Sequence, residues 1–324
     1  MSHRAVGQMS FADGLVKRRA GQNEGLERLA AMIKWRPVER ALDAIYDSDS
    51  GRPSYPPLLM FKCLLLQQWY QLSDPQLEEA LADRLSFRRF AGLPLDQEVP
   101  DHSTISRFRG QLAARNLGQR LFAEINRQLA ARGLMLKTGT LIDATLIEAA
   151  VNPPRDAHST PGEGSPQDPD ADWTKRGRTS FYGYKAHLGM DQGSELIRSA
   201  TVTSAKVADS LVAEQLVSGD ERAVYADKAY ENLERSARWA ELGIADGIMR
   251  KLMPHSRTPH RVLAARNRAL ARIRYAVERK FAVMKQHYGL GRMRYCGAAK
   301  NRLHVLLVCI AMNLKRATVL ASIA

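Results

Sequence analysis

The feature that most limits the possible folds is a change in hydrophobic period near residue 136. Upstream of it, apolar residues recur at helical spacing, first across residues 24–47. Downstream, a strand-like run at 140–147 precedes a predicted hairpin formed by 182–191 and 195–203. Helices and strands then alternate toward the C-terminus, which is the order of a mixed α/β domain. We therefore predict an all-helical first part and an α/β second part.

The same change sets the predicted domain boundary. A chain of 324 residues is long enough for about two domains. We predict a helical domain over 1–130 and a mixed-sheet domain over 136–324, with a flexible insertion at 151–181 that is rich in Pro, Gly, Asp and Ser. In the second domain we expect helices at 206–218, 231–242, 259–287 and 300–320, and strands at 223–227 and 243–250.

The positive charge of the chain is concentrated near its C-terminus. The net charge is +14, and residues 247–324 contain 17 Lys and Arg but one acidic residue, Glu278. Such a local cationic surface indicates a polyanionic partner, either nucleic acid or an anionic membrane. The apolar runs at 63–66 and 303–314 are shorter than the roughly 20 residues of a membrane span. We therefore expect a cytoplasmic protein that binds nucleic acid and no membrane.

Three acidic residues carry the predicted chemistry. Asp143 and Asp227 each stand inside an apolar, strand-like stretch, where a buried carboxylate without a partner is costly. Either one alone is more simply explained as a hydrogen-bonded carboxylate at a strand end. Together with Glu278 they supply the hard oxygen ligands that Mg²⁺ prefers. Paired Mg²⁺ ions can activate an attacking oxygen and stabilise a leaving one, as phosphodiester chemistry requires.

The predicted helix at 259–287 places basic groups beside Glu278. Arg274 and Lys285 lie on the same face at i−4 and i+7, so we expect both to contact DNA phosphates. A solvated cationic face with one i,i+4 ion pair is the alternative, but it does not explain why other acidic residues are missing. The buried side of this helix is predicted to consist of Ile273, Val277, Phe281 and Met284.

The first domain contains a helix that is suited to DNA. It follows an apolar helix at 58–72 and a capping box at Ser73, and it begins at Asp101 or Ser103. Its apolar residues Ile105, Phe108 and Leu112 are expected to face the core. The residues left outside, as in a helix-turn-helix recognition helix that contacts DNA, are Ser103, Thr104, Ser106, Arg107 and Arg109. An ordinary capped surface helix is the simpler alternative.

Two further candidates for contact with DNA lie in the predicted hairpin. Lys185 and His187 alternate with aromatic residues along one strand, and we expect both to point toward DNA and metal. The alternative is an edge strand with its polar residues facing solvent. Trp173, inside the predicted insertion, either stacks on a DNA base or anchors the insertion on the core.

Short motifs occur along nearly the whole chain. They are Gly-Arg-Pro-Ser-Tyr-Pro-Pro at 51–57, Leu-Gln-Gln-Trp-Tyr-Gln-Leu-Ser-Asp at 66–74, Ser-Phe-Arg-Arg-Phe-Ala-Gly-Leu at 86–93, Val-Pro-Asp-His-Ser-Thr-Ile at 99–105, Ile-Asp-Ala-Thr-Leu-Ile at 142–147, Asp-Trp-Thr-Lys at 172–175, Tyr-Gly-Tyr-Lys-Ala-His at 182–187, Ala-Asp-Lys-Ala-Tyr at 226–230 and Arg-Tyr-Cys-Gly-Ala-Ala-Lys-Asn at 294–301. Together they resemble the DDE transposases of the bacterial insertion-sequence 5 family. The helical signature of that family, Tyr-x2-Arg-x3-Glu-x6-Lys, is matched by Arg274, Glu278 and Lys285, whereas its tyrosine position holds Ala271.

The resemblance implies a ribonuclease-H-like catalytic domain whose catalytic acids and metal ligands are Asp143, Asp227 and Glu278. It implies two Mg²⁺ ions, for which Mn²⁺ can substitute. The implied activity is that of a transposase, which binds terminal inverted repeats in double-stranded DNA and catalyses cleavage and strand transfer. Joining two DNA ends requires at least a homodimer in the synaptic complex, associated with the bacterial nucleoid. Two alternatives are a catalytically idle DNA-binding regulator derived from a transposase and a ribonuclease-H-like nuclease.

Overall fold

The computed structural model describes residues 22–45, 54–153, 162, 164–252 and 258–323. These residues form two compact units. The helical unit comprises the described residues up to Arg132 together with those from Leu306 onward, and the sheet unit comprises Gly133–Val305. The predicted second domain, 136–324, departs from this division at its C-terminal end. Part of the predicted loop at 50–57 and part of the predicted insertion lie outside the described residues.

The helical unit is built from helices in its described part, as predicted. Capping side chains fix where several of these helices begin. Ser73 accepts a hydrogen bond from the backbone N–H of Gln76, and the Gln76 side chain returns one, which is the predicted capping box. The helices are α1 (Glu24–Ala31), α2 (Trp35–Leu42), α3 (Pro57–Tyr70), α4 (Asp74–Asp83), α5 (Leu85–Ala91), α6 (His102–Ala114) and α7 (Leu117–Ala131).

The core of the helical unit forms around α3. Ten of its 14 residues are buried, as its nearly uninterrupted apolar sequence predicts. The end of the chain packs into the same core through the last helix, Ala298–Ala321. There the Trp69 indole N–H donates to the Ala311 carbonyl oxygen at 3.0 Å, and the Asn313 amide donates to the Asn126 side-chain oxygen at 2.9 Å. Buried polar groups that pair in this way explain why residues beyond Leu306 belong to the helical unit.

That last helix is also long and apolar enough to span a membrane. Of its most apolar 18-residue window, 72% is buried inside the structure. A core helix of a folded domain has the same length and composition. Packing within the protein therefore accounts for the apolar composition of this helix.

The sheet unit has the mixed α/β architecture that the sequence predicts. Its strands are β1 (Thr140–Glu148), β2 (Asp172–Arg176), β3 (Thr179–Asp191), β4 (Ile197–Ser204), β5 (Ala223–Ala226) and β6 (Ala245–Ile248). Its helices are α8 (Ala213–Leu216), α9 (Leu233–Glu241), α10 (His260–His287) and α11 (Ala298–Ala321), the last of which continues into the helical unit.

The sheet is mixed because β3 returns antiparallel to β1 while β5 and β6 follow parallel. The strand order is β2-β3-β1-β5-β6, and β4 pairs with the same edge of β3 as β2 does. The long strand β3 is therefore flanked on both sides. Gly183 of β3 pairs with Glu148 of β1 on one edge and with Asp172 of β2 on the other. A Cβ at this position would lie 2.2 Å from the Ile147 carbonyl oxygen, so this close approach requires glycine.

Two predicted elements differ from the structure. The predicted helix at 206–218 is broken into a 3-10 turn, Asp209–Leu211, and the single turn of α8. The Lys185 ammonium donates to the Val207 carbonyl oxygen at 2.8 Å, which engages a carbonyl that a continuous helix would use. The predicted flexible insertion at 151–181 contains β2, whose ladder to β3 pairs Asp172 with Gly183 and Arg176 with Thr179.

Candidate active site: an acidic cleft

Asp143 stands in the middle of β1. Its carboxylate accepts a hydrogen bond from the Ala144 N–H at 2.8 Å and a charged one from the Arg274 guanidinium at 2.9 Å. Burial raises the pKa of Asp143 to about 6. Arg274 opposes that increase, whereas the nearby charges of Asp227 and Glu278 add to it. The three acids are therefore close enough to influence one another electrostatically.

Asp227 immediately follows β5 and is brought beside Asp143 by the register of the sheet. In the parallel pair, Thr140 lies opposite Val224 and Leu141 opposite Tyr225. The same register continued by two residues places Asp143 next to Asp227. The Asp227 carboxylate accepts a hydrogen bond from the Ala229 N–H at 2.7 Å and so caps the following 3-10 turn.

Glu278 comes from α10, which packs against β1 and β5. Val277, Phe281 and Met284 are buried on this side, as predicted, whereas Ile273 is half-buried. Arg274 precedes Val277 by three residues, so it lies on the packed face and its side chain is 8% exposed. Glu278 lies at the exposed edge of this face. The helix therefore buries the guanidinium against Asp143 and leaves the carboxylate accessible.

The three acids line one cleft of about 530 Å³. Acidic and basic groups face each other across it. Its described lining residues are Asp143, Ala144, Thr145, Leu146, Thr174, Lys175, Arg176, Lys185, Asp209, Asp227, Arg274, Glu278 and Phe281. Beside it, burial raises the pKa of Tyr230, and the charges of Asp143, Asp209 and Asp227 add to that increase. The carboxylate charges on this side of the cleft attract cations.

The donor atoms of the cleft match a hard divalent cation, because carboxylate oxygens are the ligands that Mg²⁺ and Mn²⁺ prefer. The three acids fit a metal site in their ligand chemistry and in lining the same cleft. Within the described residues, no three acidic, histidine or cysteine side chains are gathered around one point that could hold a metal ion. The Asp143 carboxylate is engaged by Arg274 at 2.9 Å. An ion held by all three acids therefore requires Asp143 to turn away from Arg274.

The basic residues predicted beside the acids have different surroundings. Arg274 pairs with Asp143, so its guanidinium is occupied by a protein carboxylate. Lys185 lines the cleft and pairs with Asp209 at 3.0 Å. Lys285 is exposed and lies outside the described lining of the cleft. Arg274 and Lys185 therefore lie in the cleft and each pairs with one carboxylate, whereas Lys285 lies outside its described lining.

The prediction that His187 points toward DNA is wrong. The residue is fully buried, and its Nε2 is 2.8 Å from the Thr203 hydroxyl oxygen of β4. Burial lowers its pKa to about 4, so the ring is neutral at physiological pH. The edge-strand alternative is also wrong, because β4 covers this side of β3. Trp173 is buried as well and packs on Tyr182 with ring centroids 5.2 Å apart, so it anchors the chain on the core.

In the helical unit, Asp101 rather than Ser103 caps α6 by accepting from the Thr104 N–H at 2.6 Å. Ser103 and Arg107 are exposed and Thr104 is half-buried. Arg107 donates to the Thr104 hydroxyl at 3.0 Å, so these polar groups of the helix interact with one another.

The prediction that Arg109 lies outside is wrong. Arg109 is 4% exposed and pairs with Asp74 of α4, donating also to Gln67 of α3 at 3.2 Å. Its position explains the error, because residue 109 lies one turn after the buried Ile105 on the same helix face. The guanidinium joins three helices and is not available to DNA.

The connection that precedes α6 also differs from a helix-turn-helix. That motif joins its helices by a turn of about three or four residues. Here residues 92–101 separate α5 from α6. The buried Arg88 holds this loop by donating to the carbonyl oxygens of Pro94 and Gln97, both at 2.6 Å.

Sequence reasoning assigned no role to five polar residues of the cleft: Thr145 of β1, Thr174, Lys175 and Arg176 of β2, and Asp209 of the 3-10 turn. The polar composition of 151–181 predicted a loop. The signal that could have revealed β2 is the sequence Arg-Gly-Arg at 176–178, flanked by residues of strand-forming type on either side. No comparable signal distinguishes Asp209 from a surface aspartate.

Comparisons with known proteins identify the family of this chain. Residues 135–314, more than half of the chain, match the family model described as Transposase DDE domain. Residues 15–111 match the model described as Transposase domain (DUF772). Among solved structures, the chain is similar to the cryo-EM structure of a piggyBac transposase synaptic complex with hairpin DNA, at 14% identity and a TM-score of 0.33. That match covers 74% of this chain and 51% of the other, so the chain spans about half of its length.

Proposed function

The chain belongs to the DDE transposase family, and we propose that it binds the terminal inverted repeats of an insertion sequence and catalyses metal-dependent cleavage and strand transfer. The observation that carries this proposal is the cleft. Three carboxylates from β1, the end of β5 and α10 face one cavity, and basic residues line its other walls. Acids that hold metal ions and cations that bind phosphate are what phosphodiester transfer requires.

Asp143, Asp227 and Glu278 are the proposed catalytic acids and the proposed metal ligands. Bound Mg²⁺ or Mn²⁺, as two ions, supplies the Lewis acidity that activates the attacking oxygen and stabilises the leaving oxygen. In the first reaction a water oxygen attacks phosphorus and the bond to the 3′ oxygen breaks, which leaves a 3′-hydroxyl at the transposon end. In the second reaction that hydroxyl attacks a target phosphodiester, and one strand is joined as another bond breaks.

The residues around the acids hold the DNA strand during both reactions. Lys185 lines the cleft and is one of the cations placed there to contact a phosphate. Arg274 is released when Asp143 turns away, and its guanidinium then faces the same phosphate. Buried Val277 and Phe281 fix the helix that carries Glu278, so the third acid keeps its position while the other groups move.

The strand order, with β3 antiparallel to β1 and with β5 and β6 parallel to it, supports a ribonuclease-H-like fold for the sheet unit. The motifs along the chain support the insertion-sequence 5 family. We propose that the helical unit contacts the repeat through Ser103, Thr104 and Arg107. The working complex is at least a homodimer, because two transposon ends must be held together, and it acts in the cytoplasm on the bacterial nucleoid.

One observation favours a second candidate, a DNA-binding regulator without catalytic activity. The Asp143 carboxylate is paired with Arg274, and a metal site is not assembled within the described residues. If that pair were permanent, the protein would bind transposon ends without cutting them.

The experiment that separates the candidates uses a labelled duplex carrying the end of the element that encodes this chain. The full-length protein is incubated with it and Mg²⁺, in competition with random duplex at a stated salt concentration. A transposase nicks the labelled strand at the end and leaves a 3′-hydroxyl that joins to a target plasmid. End-specific binding without nicking, in Mg²⁺ or Mn²⁺ and with paired ends, identifies the regulator. Cleavage without preference for the end identifies a nuclease.

A further inference from the structure

The hairpin formed by β2 and the first part of β3, residues 172–183, carries a cluster of positive charges at its tip. Lys175, Arg176 and Arg178 occupy three of four consecutive positions, and all three are exposed. Within the described part of the chain no ion-pair partner lies beside any of them, whereas Lys185, deeper in the cleft, pairs with Asp209. This segment, which we name the basic hairpin, therefore presents uncompensated charge.

The basic hairpin lies directly at the acidic cleft. Lys175 and Arg176 line the same cavity as Asp143, Asp227 and Glu278. A polyanion that enters the cleft must therefore pass these cations. The acids alone would repel such a chain, so cations at the rim offset that repulsion where the chain enters.

The base of the basic hairpin is firmly held, which fixes the position of the tip. The Asp172 carboxylate accepts from the backbone N–H of Trp173 at 2.7 Å and pairs with Lys206 at 2.8 Å. Trp173 packs on Tyr182, whose hydroxyl oxygen accepts from the Ser165 N–H at 2.7 Å. These contacts leave little freedom for the strands that carry the cations.

The turn itself is tight. Arg176 pairs with Thr179, so residues 177 and 178 form a two-residue connection. Gly177 has φ +62°, as the first central residue of a type II′ hairpin turn requires. The exposed arginines on either side of this glycine are therefore held close together at the end of a rigid ribbon.

A second group of like charge lies nearby. Partial burial lowers the pKa of Lys285; the nearby charge of Arg176 lowers it further, and the charge of Glu148 opposes the decrease. Lys285 of α10 is therefore close enough to the basic hairpin for Arg176 to influence it electrostatically. Repulsion between such neighbouring cations is relieved when an anion binds between them.

From this placement we infer that the basic hairpin binds the phosphate backbone of duplex DNA beside the cleft, and so positions the strand that carries the scissile bond. The residues from Thr174 to Ser180 are polar or basic apart from Gly177. They lack the aromatic groups that stack on unpaired bases, so they can bind DNA through its phosphates. This inference rests on the proposed function and adds a binding element to it.

The test compares two full-length double variants. K175Q/R176Q removes two charges from the basic hairpin. R222Q/R238Q removes two exposed charges elsewhere in the same unit, before β5 and from α9, and serves as the matched control. Binding to the transposon-end duplex is measured by anisotropy with a chelator present, from about 50 to about 200 mM salt. Thermal unfolding of both variants establishes that the fold is unchanged.

Each lost phosphate contact lowers the slope of log K against log salt by about 0.9, so two lost contacts lower it by about 1.8. The advantage of the wild type over K175Q/R176Q should then shrink about 12-fold between the two salt concentrations. The control should keep the wild-type slope. An unchanged slope in the hairpin variant, or an equal loss in the control, overturns the inference. So does a hairpin variant that loses binding to single-stranded RNA while binding the duplex normally.

Different results refute the proposed function and the role of the basic hairpin. A wild-type protein that neither binds nor cuts the end refutes the proposed function. A wild-type protein that cuts the end, together with a hairpin variant that binds and cuts equally well, refutes the role of the basic hairpin alone.

Discussion

Replacing Asp143 by asparagine should stabilise the metal-free protein at neutral pH. The Asp143 side chain is 18% exposed, and burial raises the pKa of its carboxyl from 3.8 to about 6 despite the nearby Arg274. The folded state therefore binds this proton more tightly than the unfolded chain does, and ionisation of Asp143 opposes folding. Asparagine has nearly the same shape, and its amide oxygen can still accept from Arg274, as the oxygen of a protonated Asp143 carboxyl would.

The magnitude follows from the pKa. An increase from 3.8 to about 6 corresponds to roughly 3 kcal/mol in the free energy of unfolding. Because the folded-state pKa is raised, this stability is fully present below about pH 3.8 and is lost as the pH rises through about 6. Asp143→Asn should therefore exceed the wild type by roughly 3 kcal/mol near pH 8 and by about half a kcal/mol near pH 4.

The assay is urea unfolding across this pH range with a chelator present. Trp173 and Trp239 are buried in the sheet unit and report its unfolding by fluorescence. The control is Glu214→Gln, which neutralises an exposed carboxylate on α8 and should follow the wild type closely at every pH. Equal stability of Asp143→Asn and the wild type near pH 8, or a difference that grows toward acid, would refute the reasoning.

Three substitutions test other parts of the structure by thermal or urea unfolding. Arg109→Met leaves Asp74 without its buried partner and should destabilise the helical unit by about 3–5 kcal/mol; a loss below about 1 kcal/mol would contradict the burial of this pair. Ser73→Ala removes half of a capping box and should lower stability by about 1 kcal/mol, whereas Ser73→Asp, which retains a capping oxygen, should not. Gly183→Ala forces a Cβ against the Ile147 carbonyl and should destabilise the sheet unit by several kcal/mol, so wild-type stability would show that β1 and β3 can separate there.

The acids of the cleft could be predicted from sequence because their elements are strongly patterned. Asp143 interrupts an apolar strand, Asp227 directly follows one, and Glu278 interrupts a cationic helix. The strands pair in parallel and the helix packs on them, so the three side chains converge without any unusual geometry. Periodicity and charge therefore single out the three acids as candidates, whereas their catalytic roles and the ribonuclease-H-like architecture are what the resemblance implies.

The pairing of individual side chains could not be predicted. Arg109 and Arg107 are both basic residues on one helix, yet burial separates them because Asp74 of another helix reaches Arg109. His187 and Lys185 share a face of β3, yet Thr203 of the neighbouring strand covers the histidine. Such outcomes depend on which elements become neighbours, and a single sequence does not contain that information.

The change of unit within the last helix and the strand β2 were missed for a related reason. Residues beyond Leu306 continue a helix of the sheet unit, so nothing local marks their change of unit; Trp69 and Asn126, far away in sequence, determine it. The strand β2 follows a stretch rich in Pro and Gly, and that composition predicts a loop. Only its pairing with β3 makes residues 172–176 a strand.

The central claim is that Asp143, Asp227 and Glu278 act together as one catalytic centre. The most direct measurement is single-turnover nicking of the transposon-end duplex in Mg²⁺ by the wild type, by Asp143→Asn, Asp227→Asn and Glu278→Gln, and by Glu214→Gln as control. We expect each of the three neutralised acids to abolish nicking while end binding persists, with the control cutting at the wild-type rate. Nicking that survives the loss of any one of the three acids would contradict the account.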